Sequence, residues 1–178
     1  MVAFTLNGAA VSVEAAGAPL LHVLRGDCGL SGPRFGCGSE QCGACVVLVD
    51  GTPAYACTLG VEAVAGRSVT TVEGLGSPDA PHPLQRAFLT EQAGQCGFCL
   101  PGILVVAAWL LARDPDPDDA AIRDGLDPHL CRCGSYNRIL RAVKRAAAEM
   151  ASDRRRAERP PAASTGGVNR PPQAGASA

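Results

Sequence analysis

The stretch FGCGSEQCGAC, Phe35–Cys45, sets three cysteines in a C-x4-C-x2-C array, and a fourth, Cys57, follows within the next dozen residues. Three thiols from so short a span can converge only if the loop curls tightly. Gly36, Gly38 and Gly43 give the backbone access to positive φ and let it turn N–H groups toward the sulfurs. Immediately downstream, VVLV (Val46–Val49), the Asp50–Gly51 turn and TPAYAC (Thr52–Cys57) read as a β-hairpin, with a further strand at SVTTV (Ser68–Val72). Upstream, Phe4 and Leu6 alternate with polar neighbours, Asn7–Gly8 supplies a tight turn, and Val11 and Val13 alternate again, which predicts another hairpin. Between the hairpins, PLLHVLRGD (Pro19–Asp27) places a proline at a first helical position ahead of helically spaced leucines. Two hairpins around one short helix predict a β-grasp domain.

The array formed by Cys37, Cys42, Cys45 and Cys57 has the plant-type ferredoxin spacing for a 2Fe–2S cluster, in which four thiolates surround two irons. Zinc on four cysteines is the competing reading. Zinc sites usually pair C-x2-C knuckles and need no glycine-padded arch between their ligands.

From Pro83 the pattern becomes helical: LQRAFLTEQ, then PGILVVAAWLLAR with Pro101 near its start, then DPDDAAIRDGL, then YNRILRAVKRAAAEM. The helix after Pro101 is apolar on nearly every face, which predicts burial at the centre of a bundle. The last helix has one apolar stripe, Ile139, Leu140, Val143, Ala147 and Met150, and predicts one-sided packing. The boundary between the halves falls within Gly74–Pro83. The expected organisation is α+β, with a β-grasp ferredoxin-like domain over 1–75, a four-helix bundle over 76–150 and a tail over 151–178. The tail is rich in Pro, Ala, Gly and Ser, with Val168 its only large aliphatic residue, so it is expected to be disordered.

QCGFCLPG holds Cys96 and Cys99, and HLCRCGSY holds Cys131 and Cys133. Each pair precedes a helix whose N-terminal N–H groups and dipole favour thiolates or an anionic cluster. Spacing alone leaves a zinc site, a redox dithiol and a second cluster all open.

Composition narrows the function classes. The formal net charge of -1 offers no bulk attraction to nucleic acid or anionic membranes, although 151–178 is basic while 1–150 is acidic. The longest apolar run, Ile103–Ala112, is shorter than the ~18 residues of a bilayer span. The start, MVAFTLNGAAVSVEA, has no basic n-region, long apolar core or twin arginine, so the expected location is cytoplasmic, with export only alongside a partner. Nine cysteines, an odd number without a secretory signal, argue for reduced thiols used as ligands or nucleophiles.

Taken in order, FGCGSEQCGACVV, QCGFCLPG and HLCRCGSYNRI resemble the small iron–sulfur subunit of the molybdenum hydroxylases, the xanthine dehydrogenase and aldehyde oxidoreductase family, over residues 1 to about 150. The resemblance implies one 2Fe–2S cluster on Cys37, Cys42, Cys45 and Cys57 in the β-grasp domain. It implies another on Cys96, Cys99, Cys131 and Cys133 in a four-helix domain, nearer the molybdenum. It also implies that Gln95 and Cys133 approach the pterin of a molybdopterin cofactor carried by a large partner subunit. That partner would hydroxylate an aldehyde or N-heterocycle with oxygen from water, and electrons would leave through the two clusters. CRCGSY stands where many members that work with a flavin subunit read CRCTGY, and the Gly-Ser form resembles the isoquinoline and nicotinate oxidoreductase small subunits. This favours a cytochrome c-like acceptor over a flavin subunit. The competing functions are a freestanding ferredoxin-like carrier and a zinc-stabilised interaction module.

Other candidates have simpler readings. Cys28 reads as a small core hydrophobe, and His22, His82 and His129 as structural or surface residues. Asp114, Asp116, Asp118 and Asp119 are expected to end one helix and cap the next. Trp109 is expected in the bundle core. Arg132, between two cysteines, suits either tuning of cluster charge or pairing with a partner's surface.

Overall fold

The computed structural model describes residues 1–14 and 16–158. The first half is a five-stranded mixed sheet built from β1 (Val2–Leu6), β2 (Ala9–Val13), β3 (Val46–Val49), β4 (Thr52–Tyr55) and β5 (Ser68–Thr70), in the spatial order β2-β1-β5-β3-β4. Both hairpins turn where the sequence places them. Asn7 and Gly8 have φ of 50° and 87°, and Asp50 and Gly51 have 48° and 75°, the paired positive φ of two-residue hairpin loops. β1 and β5 run parallel and the other pairs are antiparallel. Pro53, which cannot donate to a ladder, lies on the edge strand β4.

Helix α1 (Leu20–Arg25) lies within the grasp, and its Leu20, Leu21, Val23 and Leu24 are fully buried in one core with Phe4, Val47, Val49 and Val69. β3 is the wall between the two halves. Its alternating side chains send Val47 and Val49 into that core and Val46 and Leu48 into the helical one.

The second half contains α2 (Pro83–Thr90), α3 (Leu100–Arg113), α4 (Asp119–Leu126) and α5 (Tyr136–Glu158). α3 is the central element: Ile103, Val105, Val106, Ala107 and Leu111 are buried, and the helix also packs across β3 and β4. His82 caps α2, its Nδ1 accepting from Leu84 N–H at 3.2 Å, while Gln85 Oε1 accepts from His82 N–H at 2.8 Å. Asp118 caps α4 by accepting from Ala121 N–H at 2.7 Å, so the aspartate run does break and restart helix. Ion pairs tie the outer helices together, Arg86 to Glu149 and Glu91 to Arg141 and Arg145. Trp109 is only partly buried, at the rim of the core, with the Arg113 guanidinium 5.1 Å from its ring centroid.

The junction is held by a small polar network. Buried Thr71 accepts from Asn7 Nδ2 at 3.0 Å and donates to Glu73 Oε2 at 2.6 Å, and Glu73 Oε1 accepts from Gly32 N–H at 2.7 Å. One boundary differs from expectation. α5 continues to Glu158, eight residues past the end expected at 150, because nothing in AEMASDRRRAE breaks a helix. The remainder of the expected disordered tail, 159–178, lies outside the described residues.

Candidate functional site: two thiol sets and the contact between them

All nine cysteines are free thiols, and eight of them lie in four side-by-side pairs, two in each half of the chain. In the first, Cys37 and Cys42 adjoin each other, as do Cys45 and Cys57. Cys37 is exposed at the loop's outer edge, where the N–H groups of Ser39 and Gln41 point at its sulfur from 3.4 and 3.2 Å. Those N–H groups, Ser39's foremost, draw its pKa down to about 6. Cys45 is buried at the strand end, and burial, with the Cys57 thiol beside it, pushes its pKa up to about 12. Gly38 and Gly43 take the expected positive φ, 69° and 71°. Gly36 does not. It serves by closeness, since a Cβ there would stand 2.6 Å from Cys42 Sγ.

The second set is also two-and-two. Cys96 and Cys133 lie with their sulfurs 3.5 Å apart, and Cys99 adjoins Cys131. Cys96 is exposed and held below the usual thiol range by the N–H of Phe98 and then by Cys133. Cys99, the N-cap residue of α3, is buried, and that burial raises its pKa to about 12. For Cys131 burial acts upward, but the N–H groups of Ser135 and Cys133 and the Cys99 thiol outweigh it, and the net shift is downward. Thiols arranged as separate pairs fit two irons, each taking two sulfurs. Among the described residues, no three His, Cys, Asp or Glu side chains are grouped as a single metal ion would need. Four thiols in two pairs supply the donor number of a binuclear cluster.

Gln95 is exposed beside Cys96, in an apolar groove shared with Leu89, Leu100 and Leu104. Arg132 is exposed between its two cysteines. Cys28 is half-buried against the β-grasp core and apart from both sets, its pKa raised by burial and then by Asp27.

Three features escape a reading of the sequence. The peptide of Leu130 donates to the carbonyl of Cys42 at 3.0 Å, so the loops of the two sets touch through the main chain. Tyr136 Oη accepts from Cys131 N–H at 2.7 Å, fixing the peptide of a buried cysteine. His129 is buried, and burial lowers its pKa to about 4, so the ring is neutral. The tyrosine that closes the CRCGSY motif is the only sequence signal for Tyr136. Nothing local marks the other two.

The first half, residues 4–67, matches the family model described as a 2Fe–2S iron–sulfur cluster binding domain, and residues 71–144 match a [2Fe–2S] binding domain. A nicotinate dehydrogenase subunit of Pseudomonas putida is 50% identical over 147 residues, covering 82% of this chain and 94% of the relative. The chain belongs to the iron–sulfur subunits of the molybdenum hydroxylases. The alpha subunit of isoquinoline 1-oxidoreductase from Brevundimonas diminuta is 49% identical over 153 residues, 85% of this chain and 100% of the relative. Both relatives are of the kind that the Gly134–Ser135 form of the last motif points to. Among solved structures, quinoline 2-oxidoreductase from Pseudomonas putida 86 superposes with a TM-score of 0.80 at 36% identity, over 85% of this chain and 95% of the matched one. No helix among the described residues is long and apolar enough to cross a membrane.

Proposed function

We propose that this iron–sulfur protein relays electrons from the molybdopterin centre of a large partner, through two clusters in series, to an external acceptor. Cys96, Cys99, Cys131 and Cys133 hold the entry cluster, and Cys37, Cys42, Cys45 and Cys57 hold the exit cluster. The observation that carries the reading is the 3.0 Å hydrogen bond from Leu130 N–H to the Cys42 carbonyl. It joins the residue next to one ligand to the main chain of a ligand of the other cluster through a single hydrogen bond. Burial gives the path its ends: Cys96 and Cys37 are exposed, while Cys99, Cys131 and Cys45 are buried.

The entry end lies beside Gln95 and Cys133, which approach the pterin, so the partner seats over the apolar groove there. The chain binds no substrate itself. Relatives named for nicotinate, isoquinoline and quinoline favour an N-heterocycle over an aldehyde as the partner's substrate. The acceptor at Cys37 is cytochrome c-like; the alternative is a flavin subunit. Reduced thiols favour the cytoplasm, with export only alongside the partner.

The test is metal analysis and low-temperature EPR of the reduced complex. Two distinct 2Fe–2S signals are expected. Cys99→Ser should abolish turnover, whereas Cys45→Ser should keep the entry signal but block delivery to the acceptor. Full steady-state activity in either variant, or zinc in place of iron, would overturn the relay. A freestanding carrier would instead purify as a single species without a large partner.

A further inference from the structure

The segment between α4 and α5 is pinned with unusual completeness. Three consecutive N–H groups each find a different partner: His129 the carbonyl of Leu126 at 2.9 Å, Leu130 that of Cys42 at 3.0 Å, and Cys131 the hydroxyl of Tyr136 at 2.7 Å. The side chain of His129 is not pinned this way. It is 4% exposed, and neither ring nitrogen has a hydrogen-bond partner among the described residues. A buried polar group left unpaired requires an explanation.

The ring's neighbours show what its flat shape does there. It lies against Gly43, between Cys42 and Cys45, so closely that a Cβ on Gly43 would fall 2.4 Å from its Cδ2 and 2.8 Å from its Nε2. The same glycine is held by α3, because a Cβ on Gly102 would stand 2.0 Å from the Gly43 carbonyl oxygen. Gly43 is thus clasped between the imidazole and the first turn of α3, and each of these belongs to the segments carrying the other four cysteines.

We propose that His129 is a positioning residue, a flat spacer that sets the separation of the two clusters and keeps the Cys42 carbonyl on Leu130 N–H. This rests on the relay reading above. The ring acts by its thickness and planarity, and its nitrogens make no bond that matters to the relay.

The test uses the complete complex, with iron and sulfide content, cluster potentials, magnetic coupling between the reduced clusters by EPR, and the rate of electron passage between them. His129→Ala should keep both clusters but weaken the coupling and slow the passage several-fold. His129→Phe, which keeps a planar ring without nitrogens, should restore both to wild-type values with unchanged potentials. Coupling in His129→Ala equal to wild type would overturn the spacer. So would a shifted potential or lost coupling in a cluster-loaded His129→Phe complex, which keeps a planar ring at the site and decides the matter even if the alanine variant does not assemble. A wild-type complex with fewer than two clusters would overturn the relay itself and the spacer with it.

Discussion

Replacing Gly102 by alanine is the most direct probe of how the two halves meet. The added methyl would stand 2.0 Å from the Gly43 oxygen and 3.1 Å from its carbonyl carbon, whereas ordinary contact begins at 3.4 Å. The obstacle is backbone, so the loop must retreat by more than an ångström. The neighbouring Cys42–Leu130 hydrogen bond, now 3.0 Å, would then leave hydrogen-bonding range. Overpacking of this kind costs about 1–3 kcal/mol, and the lost peptide bond about 0.5–1.5 kcal/mol. The helical preference of alanine over glycine offsets about 0.5–1 kcal/mol. The net is about 0.5–4 kcal/mol, a fall in Tm of roughly 1–16 °C for a chain of this size. Gly125→Ala on α4 is the control, since its methyl would meet Leu110 Cδ2 at an acceptable 3.4 Å. It should hold or raise the Tm. Thermal unfolding of the cluster-loaded protein, followed by visible absorbance, compares the two. A Gly102→Ala protein as stable as the control would refute the packing argument.

Tyr136→Phe removes the acceptor for Cys131 N–H, and an unpaired buried donor costs about 1–3 kcal/mol; faster loss of iron from one cluster under chelator challenge is expected. Thr71→Val keeps shape but strips partners from Asn7 and Glu73, with a similar cost of about 1–3 kcal/mol, and hydrogen exchange should quicken at the junction around 71–74. Half-buried His82 has its pKa lowered, first by burial and then by the Arg86 charge, so folding favours the neutral ring that caps α2. Its contribution, about 1 kcal/mol for a cap, is fully present above the unfolded pKa near ~6.5. It is lost as pH falls below that value toward the lower folded pKa. His82→Asn should cap α2 without that dependence, and parallel pH–stability curves for the two proteins would contradict it.

Much of the fold and of the thiol sets is legible because it is local. Thiol spacing, the Asn7–Gly8 and Asp50–Gly51 turns and the uniformly apolar helix after Pro101 each announce their conformation within a few residues. The limits appear where partners are distant in sequence. His129 reads as an isolated histidine until Gly43, from the other half, is placed against it. Gly102 reads as a weak helical residue until the same loop explains why no side chain fits there. The exposed run of arginines after Met150 looks like a tail, yet arginine is a good helix former and α5 runs through it. Size alone argues for Trp109 in the core, but its ring is shared between the bundle rim and the Arg113 side chain.

The link between the two sulfur-bearing loops consists of one peptide N–H and one peptide carbonyl. Since Leu130 is 54% exposed and its side chain takes no part in the bond, the identity of that residue can drift without altering the contact. Only proline, which has no amide hydrogen, would sever it outright. This junction is thereby insulated from most mutational change, because it is written in the repeating skeleton of the polymer rather than in its variable letters.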